Sequence, residues 1–90
     1  VKYSPLSSQM QRAVVSITSN IAEGFGRQSV NDKKHFYVIA RGSTTELQNQ
    51  LLISRDIALC GEEDFQLLAN QSILVHKLIT GLIKSIQKRS

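Results

Sequence analysis

Eleven consecutive residues, SNIAEGFGRQS at positions 19 to 29, bring together a glutamate, an arginine and two glycines, the makings of a phosphate-gripping loop. Such loops follow a strand and carry a Lys-Ser/Thr pair or the full G-x-G-x-x-G spacing, so that backbone N–H groups close on the anion. EGFGR continues a helical pattern instead and has only G-x-G. It therefore reads as a corner between helices. Gly24 is the expected C-cap, Gly26 discourages continuation, Asn20 and Glu23 fix the end, and Arg27 is available to tie the turn.

A second constellation is Arg12, Glu46 and His76. If consecutive helices turn near Gly26 and Gly61 and run antiparallel, Arg12 falls within about a turn of Glu46, with His76 level with it. An acid, a base and a histidine in one layer could be drawn as a catalytic group. No nucleophile, second carboxylate or metal set accompanies them, so the layer reads as a hydrogen-bonded register device. No catalytic residue, enzyme activity or cofactor is expected. His35, Cys60 and His76 lack the short spacing of metal ligands, and Cys60 reads as a small buried residue at a helix end.

Long helices must position these groups. Ser4-Pro5 supplies an N-cap and the one helical position where proline is free of cost. Leu6, Met10, Ala13, Val14, Ile17 and Ile21 then recur at steps of three and four. Ser29 and Asp32 form a capping-box-like start to a second helix, expected near residues 30 to 60. Its main face is Phe36, Ala40, Ser43, Leu47, Leu51, Ser54 and Ala58, with Ile39, Ile53 and Ile57 on a second strip. Gly42-Ser43 lies mid-helix, where small residues usually admit a neighbouring helix; a kink is the other reading. Glu62, Glu63 and Asp64 suit the positive end of a third helix near 62 to 88. Phe65, Leu68, Ser72, Val75, Ile79, Leu82 and Ile86 form its heptad seam, and Leu67, Leu74 and Leu78 fall off it.

The expected fold is all-α, an antiparallel up-down-up bundle forming one domain over residues 1–90. Three helices do not need this much apolar surface, so either a fourth helix completes the bundle or copies of the chain pack together. A homo-oligomer is therefore expected. The opening Val1 points to a piece of a longer chain. No apolar run is long enough to span a bilayer, and no signal-peptide layout opens the chain, so no membrane partner is expected. One cysteine requires no oxidising compartment, and a cytoplasmic protein is the expectation.

QRAVVSITSNIAEGFGR, followed by FYVIARGSTTELQNQLLISRDI, resembles the four-helix-bundle proteins encoded by intervening sequences in bacterial 23S rRNA genes. The accessory proteins of diversity-generating retroelements are similar. The resemblance is close over residues 3 to 60 and looser in the last helix. It implies a further helix before the first one seen here, ring-like homo-oligomers that are commonly pentamers, nucleic-acid binding in several members, and no enzymatic activity.

Charge placement gives an independent reading. The net charge is +4, which permits an anionic partner. Pairing the helices collects Arg27, Lys33, Lys34, Lys84, Lys88 and Arg89 at one end of the bundle, against Glu23 and Asp32. Asp56, Glu62, Glu63 and Asp64 gather at the other, against Lys2 and Arg55. Cations suit the third helix's C-terminus, but Arg27, Lys33 and Lys34 sit at the unfavourable end of the second. The expected function is thus a non-enzymatic oligomer that binds RNA or DNA through this basic end, with phosphate contacts that do not read sequence. The alternative is a homo-oligomeric scaffold for a protein partner, without nucleic acid. Phe25, Phe36 and Tyr37 nearby read as core or interface, not as base-stacking platforms.

Overall fold

The computed structural model describes residues 5–88. The chain is all-α over that range, with helices α1 (Pro5–Gly26), α2 (Val30–Asp56) and α3 (Glu62–Lys88), and no strand among the described residues. Ser4, the expected first cap, lies outside them. Ser29 does cap α2: it is extended, and its Oγ accepts from the Asp32 N–H at 3.1 Å.

α2 is the central element. α1 and α3 both pack on it, and no Cα of one lies within 8 Å of a Cα of the other among the described residues. Residues on α1 and α2 meet in reverse order: Ser16 Oγ lies 2.7 Å from Ser43 Oγ, and Ser54 Oγ donates to Met10 Sδ at 3.4 Å. The expected turn near Gly26 would have set Ser16 roughly level with Val38. The corner itself occupies Arg27, Gln28 and Ser29, which accounts for about two residues of the five-residue shift to Ser43. On the other flank, Arg41 Nη1 donates to Thr80 Oγ1 at 3.4 Å, close to the expected pairing. The result is elongated: its radius of gyration is 14.5 Å, against about 12 Å for a compact chain of this length.

The core divides into two clusters. Ile17, Tyr37, Ala40, Ile79, Ile83 and Ile86 fill the end near the α1–α2 corner. Leu51, Cys60 and Phe65 fill the other, with Met10, Leu47, Leu68 and Ala69 packed against them. The small residue that lets α1 approach α2 is Ser43. Gly42 is exposed, and a Cβ there would meet nothing within 4 Å. α3 follows its expected seam: Phe65, Ser72, Ile79 and Ile86 are buried, while the off-seam Leu67, Leu74 and Leu78 are exposed.

α2 ends earlier than its apolar pattern suggests, at Asp56 and not at Cys60-Gly61. Ala58 takes φ 60°, the left-handed conformation that usually calls for glycine. Its N–H bonds the Arg55 carbonyl at 3.1 Å, and the Leu59 N–H bonds the Ser54 carbonyl at 2.8 Å. These are the paired bonds of a Schellman motif, which satisfies carbonyls that the helix end leaves open. Gly61 is not the turning residue. Its carbonyl accepts from the Phe65 N–H at 2.9 Å and opens α3.

Candidate functional site

The α1–α2 corner is built differently from the sequence expectation. Gly24 is not a C-cap: α1 runs on to Gly26, and no described glycine has positive φ. Gly24 is buried because the Tyr37 ring packs on it; a Cβ there would lie 2.8 Å from Tyr37 Cδ1 and closer still to Cε1. Asn20 does not fix the helix end either. Its Nδ2 donates back to the Ser16 carbonyl at 2.7 Å and to Ser16 Oγ at 3.2 Å. Glu23 does act at the corner, pairing with Arg27 at 3.3 Å.

Two of the six expected basic-end residues are engaged inside this corner. Lys33 Nζ donates to the carbonyls of Gly24 and Phe25, each at 3.2 Å, capping the C-terminus of α1. That explains a cation near the positive end of α2: its partner is the negative end of α1. Arg27, besides its bond to Glu23, holds its guanidinium 4.9 Å from the Phe36 ring centroid. Of the neighbouring aromatics, Tyr37 is buried and Phe36 half-buried, while Phe25 is exposed with its ring edge-on to Tyr37 at 6.1 Å. Arg89, like Lys2, lies outside the described residues.

Lys34, Lys84 and Lys88 are exposed. Two further cations join them. Lys77, Lys84 and Lys88 are spaced by seven and four on α3, which puts them on one face. Lys34 and Arg41 are seven apart on α2, and the Arg41–Thr80 bond sets the two rows side by side. Positions 34, 38, 41 and 45 of α2 and 77, 81, 84 and 88 of α3 include no acid. The cations thus follow the α2–α3 seam and are not gathered at the bundle end alone. The seven-residue spacings were the legible signal for Arg41 and Lys77.

Arg12 and Glu46 line one cleft between α1 and α2, about 370 Å³ in volume, with Gln9, Ala13, Ser16, Ser43 and Gln50. Both are exposed, and His76, half-buried on α3, does not line that cleft. Gln50 Oε1 is buried there without a hydrogen-bond partner. A larger groove of about 810 Å³ opens between α1 and α3, with α2 as its floor. Its walls are mainly apolar and include Met10, Val14, Ile21, Leu47, Leu51 and Val75.

A model of the 23S rRNA-intervening sequence proteins matches residues 2–81. The chain belongs to that family. The family match spans the corner, both cation rows up to Gly81, and the Arg12–Glu46 cleft. A crystal structure of a protein of unknown function, from the S23 ribosomal protein family of Bacteroides thetaiotaomicron, is similar over most of the chain. It is 27% identical with a TM-score of 0.87, and the alignment covers 91% of this chain and 76% of that one. No curated protein matches. Among the described residues no helix is long and apolar enough to cross a membrane.

Proposed function

We propose that this family member is a non-enzymatic, self-associating helical protein of up-down-up topology that binds RNA or DNA phosphates along the α2–α3 seam. The observation that carries the reading is the row of Lys34, Arg41, Lys77, Lys84 and Lys88 without an intervening acid. Cations in one row neutralise several phosphates at once, and each displaces condensed counterions. An assembly repeats the row in every copy, so affinity grows with the number of phosphates reached. The contacts are to backbone phosphates, and little sequence preference follows from them. Mixed-sequence RNA and duplex DNA, titrated over a salt series, test it. Binding that falls steeply with salt, and that weakens when Lys34, Lys84 and Lys88 become Gln, supports the reading. Undetectable binding at low salt refutes it.

The apolar groove favours a second reading, a scaffold for a protein partner. α1 and α3 stand apart on α2 and leave Leu47 and Leu51 at the floor of an open channel, which suits an amphipathic helix. A fourth helix seated there would complete a four-helix bundle.

A further inference from the structure

The cleft between α1 and α2 is complete at one end and open along the rest. At the closed end the Ser16 and Ser43 hydroxyls bond each other at 2.7 Å, and Asn20 Nδ2 donates to Ser16 Oγ at 3.2 Å. One turn along, Arg12 stands level with Glu46; they lie four residues before Ser16 and three after Ser43. A further turn brings Gln9 and Gln50. These two layers lack partners. Gln50 Oε1 is buried and accepts no hydrogen bond. Arg12 and Glu46 line the same cleft, yet neither makes a hydrogen bond or ion pair among the described residues. An acceptor withdrawn from water opposes folding unless something donates to it in the working protein.

We propose that this cleft binds a free α-amino acid. The charges select for it. A simple anion drawn to Arg12 meets the Glu46 carboxylate in the same cleft, and a simple cation drawn to Glu46 meets Arg12. A molecule that carries both signs a few bonds apart satisfies both walls. Its carboxylate takes the Arg12 guanidinium, whose planar fork matches two oxygens. Its ammonium has three N–H donors, enough for Glu46 and for Gln50 Oε1, which lie four residues apart on one face of α2. The cleft volume of about 370 Å³ sits near the lower end of the range for small-molecule sites, roughly 300–1,000 Å³. Gln9, Arg12 and Glu46 are exposed, so the ligand reaches them without any opening of the bundle. The site is separate from the cation row: Ser43 faces α1, whereas Arg41 bonds α3 on the other flank of α2.

The test is a titration of the chain with L-glutamine and L-arginine, followed by proton–nitrogen correlation spectra that include the Gln50 side-chain amide and Arg12 Nε. Saturable shifts at both groups, with either amino acid, are expected. The N-acetyl forms lack the ammonium and the methyl esters lack the carboxylate. Each should bind at least about tenfold more weakly, the worth of one charge-assisted hydrogen bond. Gln50→Leu and Arg12→Gln should weaken the free amino acid to a similar extent. Gln50→Leu should nonetheless raise Tm, since it removes a buried acceptor, and this separates loss of the site from loss of the fold. No shift with either amino acid at millimolar concentration overturns the proposal, and so does binding that the blocked forms or both variants leave unchanged. An assembly that falls apart in Arg12→Gln, with no amino acid bound, puts a second copy in the cleft and overturns it as well.

Discussion

The Tyr37 ring occupies the space that a side chain on Gly24 would need. The sequence alone suggests that Gly24 is there for backbone freedom, yet its backbone is helical. Its value is the missing Cβ, which lets Tyr37, the largest fully buried side chain among the described residues, pack closely against α1. Gly24→Ala should therefore cost about 1–3 kcal/mol through overpacking, although alanine is the better helix former. Thermal unfolding of Gly24→Ala beside Gly26→Ala checks this. A Cβ on Gly26 meets nothing within 4 Å, so that change should be neutral or stabilising.

Burial raises the Tyr37 phenol above its ordinary value of 10.0. The unfolded chain then loses this proton more readily than the folded one. Stability from the neutral phenol is fully present below about pH 10 and is lost as pH rises from there through the folded value. Alkaline unfolding should accordingly begin above pH 10, and Tyr37→Phe should flatten that limb without altering the curve near neutrality. Chemical denaturation at pH 8, 10 and 11 reads it; an unchanged alkaline limb in the Phe variant would count against burial as the cause.

Helical spacing made most of α3 legible, because a long heptad seam tolerates one phase only; Ile83, which is also buried, lies off that seam. The end of α2 was not legible. Its apolar pattern continues through Ala58, and the stop is made by backbone bonds to Ser54 and Arg55 that leave no trace in side-chain type. The basic end was half legible for a related reason. Counting charges finds cations but cannot tell Lys33, which bonds two carbonyls, from the exposed Lys34 beside it. Arg12 and Glu46 did fall in one cleft as helix pairing implies. His76 did not join them, because position along a helix says nothing of which flank of α2 a residue occupies.

Ala58 holds a left-handed conformation that costs an L-residue about 1–2 kcal/mol and glycine almost nothing. Ala58→Gly should stabilise the chain by about 1 kcal/mol, raising Tm by roughly 4–8 °C. The gain is partly offset by the greater freedom of glycine in the unfolded chain. Gly61→Ala, three residues on, makes the control: its φ is not left-handed and its surroundings are open, so little change is expected. A destabilised Ala58→Gly variant in calorimetry would mean that the Schellman bonds do not set this turn.

Lys33 and Lys34 are neighbours in sequence with separate tasks, and single substitutions should separate them. Lys33 is half-buried and donates to two carbonyls at the end of α1, where its charge also meets the helix dipole. Lys33→Gln leaves those carbonyls without a charged donor and should cost about 1–2 kcal/mol, read as an earlier midpoint in urea. Lys34 is exposed, and its removal should shift stability by no more than about 0.5 kcal/mol. Polyanion binding should rank the pair the other way. Lys34→Gln removes one phosphate contact and should lower the slope of log affinity against log salt by nearly one. Lys33→Gln should leave that slope in place at temperatures where the variant stays folded. Equal slopes in both variants and the unmodified chain would remove Lys34 from the interface.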